Sequence, residues 1–433
     1  MNAFHTEHNE RERSITTKSG VRIYYYRNPS LHSFFISAFL KAGSMYESER
    51  DSGITHFLEH AIIRNVNAGY DGKLYALLDR NGIEFDASTY SEMVQFYSSG
   101  ACDKFSLGAQ IITGILSPIT LSADEIKAEG GRIKAEIREN EERTSLANFT
   151  NQIVHEGTPL SRSITGSNKS VSAITAKRLE NYRSSVFTKD NLFFYVTGNF
   201  TDEDIKYLGE LIDKYPLGDG AYHDNVAPVC HSFAKRGDVY VKNADFTMVR
   251  FTFDMDMSRI SMAESDLLYD MLIGGYSSKF FIEMSEKRGL FYDISGGMER
   301  YLNIGTLSFS YEVKESRLEE AVALTISVLQ GIKNGEITDE ECMKVSYVDN
   351  AMMLYDDPRE LNFTFAYDNH IMNAGYDSIP SRMSAYKSVS AFDLSRAARE
   401  LFVPENLTVT VKGNKKKIDS QKIKEELSRL SAT

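Results

Sequence analysis

The segment FTKDNLFFYVTGNF, which begins at Phe187, returns as FVPENLTVTVKGNK at Phe402, 215 residues later. Asn191/Asn406, Leu192/Leu407, Val196/Val411, Gly198/Gly413 and Asn199/Asn414 keep their places in the two copies. Each copy reads as a turn, a buried strand and a Gly-Asn turn that closes one half of the chain. A chain built this way folds as two similar domains, and 433 residues exceed what one ordinary core holds. The fold class expected is α+β: two homologous domains, each a mainly antiparallel sheet packed with helices, related by internal duplication. The boundaries expected are 1–217 for the N-terminal domain, 218–235 for a linker within the turn-rich PLGDGAYHDNVAP region, and 236–433 for the C-terminal domain.

In the first half, VRIYYYR (21–27), SFFISAFLK (33–41) and residues 92–99 read as strands. Helices are expected over 52–64, 70–81, 105–117 and 123–145. The first of these carries HFLEH at 56–60. On a helix, His56 and His60 lie one turn apart on one side. Two neutral imidazoles at that spacing can bind zinc and leave room for a third ligand and a water. Glu59 sits beside them, where it can take a proton from that water. The bland alternative is a histidine pair that packs or caps the helix, but H-x-x-E-H is also the inverzincin pattern. The helix 123–145 supplies acidic candidates for a third ligand, Glu129 and Glu136, seven residues apart on one face. Either can reach a zinc held by the first helix, or both can belong to a solvated face.

GSMYESERDSGITHFLEH (43–60), followed by Glu129 and Glu136, resembles the pitrilysin/insulinase family of zinc peptidases, which includes the mitochondrial processing peptidase. In that family the third zinc ligand lies on a later helix, with another glutamate seven residues before it. Glu136 follows His60 with 75 residues between them, and Glu129 holds the earlier place. The resemblance continues through TPLSRSITGS (158–167), FTKDNLFFYVTGNF and IGGYSSKFFIEMSEKRGLFY (273–292). It implies that His56, His60 and Glu136 bind one Zn2+ per chain, that Glu59 is the general base, and that Glu129 orients a ligand histidine. It also implies zinc-dependent hydrolysis without an acyl-enzyme: the ion polarises the scissile carbonyl and acidifies water.

Family members hold substrate as an added strand on an exposed sheet edge. GIEFDAST (82–89) resembles that edge, so Asp86, Ala87, Ser88 and Thr89 are candidate substrate-binding residues, with Asp86 where asparagine is usual. The family's second domain offers an arginine and a tyrosine, seven residues apart, that bind substrate and stabilise the oxyanion. Tyr292 matches the tyrosine, but Ser285 stands at the arginine position, and serine has neither the charge nor the fork of arginine. Arg288, four residues before the tyrosine, is either a replacement for that arginine or an ordinary surface arginine. The resemblance therefore implies the zinc-bearing subunit of a heterodimer whose homologous partner carries the arginine–tyrosine pair. A homodimer using Arg288 and Tyr292 is the runner-up, and a non-catalytic scaffold subunit ranks below both. AIIRNVNAGY, directly after HFLEH, also departs from the family's M-x-F-K-G-T.

A net charge of −12 disfavours nucleic acid as a partner. No run of about 18 apolar residues is present for a membrane span. Cys102, Cys230 and Cys342 lie far apart, and the N-terminal stretch has no apolar signal region, so a bacterial cytoplasm is the expected location. The substrate expected is a short or unfolded peptide, such as a precursor from which a leader is removed.

Overall fold

The computed structural model describes residues 11–215, 217–220, 222–228, 236–338, 341–342 and 357–431. The chain sorts into two compact units. The first takes Met1–Glu141, Arg162–Asn225 and Asp349–Ser381; the second takes Glu142–Ser161, Val226–Val348 and Arg382–Thr433. Each unit follows one half of the chain for most of its length, with residues 142–161 and 349–381 counted in the unit of the other half. Residues 1–10 of the N-terminal stretch and 229–235 of the linker region, with Cys230, lie outside the described residues.

The first unit is built on β1 (Arg13–Thr16), β2 (Arg22–Arg27), β3 (Ser33–Leu40), β4 (Glu84–Thr89), β5 (Val94–Ala101) and β6 (Leu192–Gly198), in the order β1-β2-β6-β3-β5-β4. β2 and β6 run parallel and the other pairs are antiparallel. β4 is an edge strand: among the described residues it pairs with β5 alone. The second unit holds β7 (Val239–Asn243), β8 (Met248–Asp256), β9 (Ile294–Arg300), β10 (Ile304–Glu312) and β11 (Leu407–Gly413), in the order β7-β11-β8-β10-β9.

The two copies of the repeat are β6 and β11, and they hold equivalent places. β6 runs parallel to β2 and antiparallel to β3, and β11 runs parallel to β7 and antiparallel to β8. All seven residues of each are buried, as expected of a central strand covered on both faces. One face packs on apolar helices. The other, aromatic with a few polar groups in the first unit and polar in the second, is closed by the segment from the opposite half of the sequence. In the first unit, Asn362 of the Pro358–Ala366 helix donates to the carbonyl oxygens of Tyr195 (2.9 Å) and Phe35 (3.3 Å). In the second, Lys412 Nζ donates to Ser145 Oγ at 2.7 Å, and the Thr150 and Thr410 hydroxyls lie 2.7 Å apart. No helix among the described residues is long and apolar enough to cross a membrane.

The strands expected at 21–27, 33–41 and 92–99 form as β2, β3 and β5. Helix ends differ more. α1 (Ile54–Gly69) runs past the expected end because Ala61, Ile62 and Val66 continue its buried stripe. α2 (Leu74–Asn81) starts later than expected, after a turn in which Asp71 and Gly72 have φ of 53° and 74°. α3 (Phe105–Thr113) stops before a tight turn at Gly114–Leu116.

The start of α1 is held by the motif before it. The buried Glu47 carboxylate accepts from the backbone N–H groups of Gly53 (2.8 Å) and Thr55 (2.9 Å), two of the donors a helix leaves open. Gly53 has φ +86°, and a Cβ there would lie 2.7 Å from the Thr165 carbonyl oxygen and 2.8 Å from Gly166 Cα. This contact joins the GSMYESERDSG stretch to SITGS, which explains glycine in both. Gly53→Ala is therefore expected to cost about 1–3 kcal/mol, read as a lowered unfolding midpoint in denaturant; an unchanged midpoint would remove this account.

Candidate metal centre

α1 buries Phe57, Leu58, Ala61 and Ile62 against the core, which turns His56 and His60 to one side with ring centroids 4.7 Å apart. Facing them is α4 (Ala123–Val154). Its start is fixed reciprocally: the Ser122 N–H donates to Glu125 Oε2 at 2.9 Å, and the Glu125 N–H donates to Ser122 Oγ at 3.3 Å. Ile126 and Ile133 are buried, seven residues apart, and set the face that carries Glu129 and Glu136. A Cβ on Gly130 would meet the Phe57 ring at 3.3 Å, so glycine lets α4 lie close on α1.

The two glutamates have distinct places. Glu136 Oε2 is 3.6 Å from His56 Nε2 and 3.5 Å from His60 Nε2. One donor atom from each of the three residues falls within 4.8 Å of the others. Glu129 is almost fully buried and sits behind His60, with Oε1 3.0 Å from Nδ1. Its other oxygen accepts from Arg64 at 3.1 Å, and Arg132 stands 3.6 Å away. This arrangement puts a His60 proton on Nδ1, against the Glu129 carboxylate, and turns Nε2 toward Glu136.

Burial, with His60 nearby, pushes the His56 pKa down to about 3, so His56 is a neutral donor at neutral pH. Burial also lowers His60, but the Glu129 hydrogen bond and three surrounding carboxylates outweigh it and the net direction is up. Burial raises Glu129, but its bonds to His60 and Arg64 bring it below the usual carboxylate range. Burial raises Glu59 despite the hydrogen bond it accepts from Thr89 Oγ1. Two imidazole nitrogens and one carboxylate oxygen, with no thiol, form a donor set that suits zinc. The nitrogen of His56 away from Glu136, Nδ1, is buried without a hydrogen-bond partner, so this ring has no counterpart to Glu129.

A cleft of about 560 Å3 opens beside the cluster, lined by Glu59, His60, Arg64, Asp86 and Glu129 among others. Asp86 is exposed and its carboxylate accepts from the Ala87 N–H at 2.9 Å; Ala87 and Ser88 are partly buried on the edge strand β4. Thr89 plays a part the sequence did not suggest: it holds Glu59. Arg64 was also missed, although its signal was present, four residues beyond His60 on the same helix face. Glu47 had no comparable signal, because its partners depend on the turn that precedes α1.

Comparison with known proteins shows the family. Residues 22–168 match the family model described as insulinase, peptidase family M16, and residues 173–345 match the one described as the peptidase M16 inactive domain. The chain belongs to the insulinase family. An uncharacterized zinc protease of Mycobacterium tuberculosis is 23% identical over 344 residues, which cover 76% of each chain. The fold is similar to that of a protease from Helicobacter pylori, with a TM-score of 0.79, 19% identity, and coverage of 93% of this chain and 99% of that one. It is also similar to the periplasmic protease PqqL from Escherichia coli, with a TM-score of 0.78 and 16% identity; the match covers 98% of this chain and 50% of that one.

The remaining candidates, Arg288 and Tyr292, belong to the second unit, within the stretch matched by the inactive-domain model. Tyr292 is 97% exposed. Arg288 donates to the Glu283 carbonyl at 2.8 Å, with the Glu283 carboxylate 3.4 Å away, so its charge is engaged within its own turn. Ser285 Oγ donates to the Phe291 carbonyl at 2.9 Å and closes the same turn.

Arg64 neutralises a buried carboxylate through one N–H donated to Glu129 Oε2, so Arg64→Met is expected to weaken zinc binding about tenfold or more. Arg64→Lys should recover part of the loss. Competition against a chelator measures both, and equal affinities in all three proteins would show that Arg64 does not act through Glu129.

Proposed function

We propose that this chain is a zinc endopeptidase acting on extended, short or unfolded peptides, and that it is the zinc-bearing subunit of a two-chain enzyme. The observation that carries the reading is the convergence of His56, His60 and Glu136 next to a half-buried glutamate, Glu59, whose carboxylate is held by Thr89. In this reading His56, His60 and Glu136 hold one zinc ion, and Glu129 keeps the His60 lone pair directed at it. Zinc bound there would polarise a scissile carbonyl and make water acidic enough to attack near neutral pH. Glu59 takes the proton of the attacking water and passes it to the leaving amine; its raised pKa suits a group that must both accept and return a proton. β4, open along one edge, offers backbone N–H and C=O groups to an extended peptide, with Asp86, Ala87, Ser88 and Thr89 alternating along it.

The subunit reading rests on what stands at the arginine position. Ser285 is tied to its own turn and Arg288 to Glu283, so neither offers a free bidentate fork to an oxyanion. A homologous second chain bearing an arginine and a tyrosine would supply that charge. Tyr292 remains exposed for substrate contact. The same tether on Arg288 weighs against a homodimer that uses it, and retention of the base Glu59 weighs against a scaffold. Removal of a leader from a precursor peptide fits a site that grips backbone rather than folded surface.

Two outcomes are expected. The zinc-loaded chain alone should leave an unstructured peptide mixture largely intact by mass spectrometry, and cleavage should appear when the partner chain is added. Robust cleavage by the chain alone would overturn the two-chain reading. In the active preparation, Glu59→Gln should keep its zinc and lose at least about 100-fold in kcat/KM; full activity in that variant would remove Glu59 from the mechanism.

A further inference from the structure

A second cleft lies in the first unit, on the face of the sheet that the Pro358–Ala366 helix covers. Its volume is about 640 Å3, comparable to that of the cleft at the histidine cluster. Its charge is opposite. The cleft by the histidines is lined by five carboxylates and two arginines, whereas this one is lined by Arg22, Lys41 and Lys189 with Asp190 as the lone carboxylate. In a chain of net charge −12, three cations gathered on one cleft run against the overall field.

The cations come from neighbouring strand ends. Arg22 opens β2, Lys41 directly follows β3, and Lys189 precedes β6; the order β2-β6-β3 places all three at one end of the sheet. The backbone holds them there, because the Lys41 N–H donates to the Asn191 carbonyl at 2.8 Å and Arg22 is in register with Phe193. Arg22 donates to the Tyr24 hydroxyl at 3.1 Å and Lys41 to the Tyr222 hydroxyl at 2.8 Å. Neither has a carboxylate ion-pair partner among the described residues, while Lys189 is paired with Asp219.

The floor is rigid and polar. The His370 ring stacks on Tyr24 with centroids 3.6 Å apart, and its Nε2 lies 3.1 Å from Glu12. The same carboxylate accepts from Asn369 at 3.1 Å and from the Tyr195 hydroxyl at 2.5 Å. On the rim, the buried Asn191 accepts from the His223 N–H at 2.8 Å, which pins the segment carrying Tyr222. Glu12 is therefore spent internally, and Arg22, Lys41 and Lys189 line the cleft with Asp190.

We propose that this cleft binds a small oxyanion carrying two or more negative groups, a polyphosphate or a polycarboxylate. Arg22 and Lys41, at separate strand ends and in no ion pair among the described residues, outnumber Asp190 on the rim, and with Lys189 beside them they suit a ligand with several charges better than a single phosphate. The volume is in the range of small-molecule sites. The site shares no residue with the histidine cluster, so it stands or falls separately from the peptidase reading.

The test is isothermal titration of the zinc-loaded chain with pyrophosphate and, separately, with citrate. Saturable binding of at least one of them, one per chain and weakening as salt is added, is expected, and the arm that binds more tightly identifies the source of the charge. Arg22→Gln/Lys41→Gln should weaken it about tenfold or more, while the charge-matched Lys415→Gln/Lys416→Gln and the Glu59→Gln variant should bind as the parent does. Circular dichroism confirms the fold, and Lys41→Gln alone carries the test if the double variant fails to fold. No saturable binding of either anion, or binding that Arg22→Gln/Lys41→Gln leaves unchanged, overturns the proposal.

Discussion

The close crossing of α1 and α4 is the constraint on which the candidate site depends. α1 alone offers two imidazoles, and α4 alone offers a face of acidic residues. Packed at Gly130 on Phe57, they place Glu136 against both histidines and bury Glu129 between His60 and Arg64. Burying a carboxylate that deeply is costly unless it is paired and hydrogen-bonded, and Glu129 meets both conditions. The same pairing fixes the tautomer of His60. Packing, electrostatics and ligand geometry are thus one arrangement, and a change in the spacing of the two helices would disturb all three.

The two sheets show how a duplicated unit becomes specialised. Both keep a central strand parallel to one neighbour and antiparallel to the other, and both cover one face with a segment from the other half of the sequence. The first copy adds HFLEH and Glu136. In the second, the turn around 285–292 is held by Ser285 and Arg288, whose bonds are spent locally. The two copies share the framework and differ in the side chains they carry, which is the ground for proposing a second chain.

Much of this was legible in the sequence because it depends on short-range spacing. The repeat at Phe187 and Phe402 located the two central strands, and the histidines of HFLEH fall on the helix expected for them. From spacing alone, Glu129 and Glu136 were interchangeable; their separation needed the approach of α4, which arises from Gly130 and a distant phenylalanine. Thr89 looked like part of a substrate strand, and its hold on Glu59 depends on β4 lying beside α1. Glu47 could not be read at all, since its partners are backbone N–H groups presented by a turn. The exchange of residues 142–161 and 349–381 escaped for a similar reason: such contacts join positions hundreds of residues apart and leave no periodic trace.

The central claim is that zinc is held by His56, His60 and Glu136, with Glu129 behind. Anomalous X-ray diffraction at the zinc absorption edge, from crystals of the zinc-loaded chain, tests it most directly. The account expects one peak per chain, about 2.0–2.2 Å from the Nε2 atoms of both histidines and from a Glu136 oxygen. A peak bound by Glu129 in place of Glu136, or one lying away from HFLEH, would contradict it.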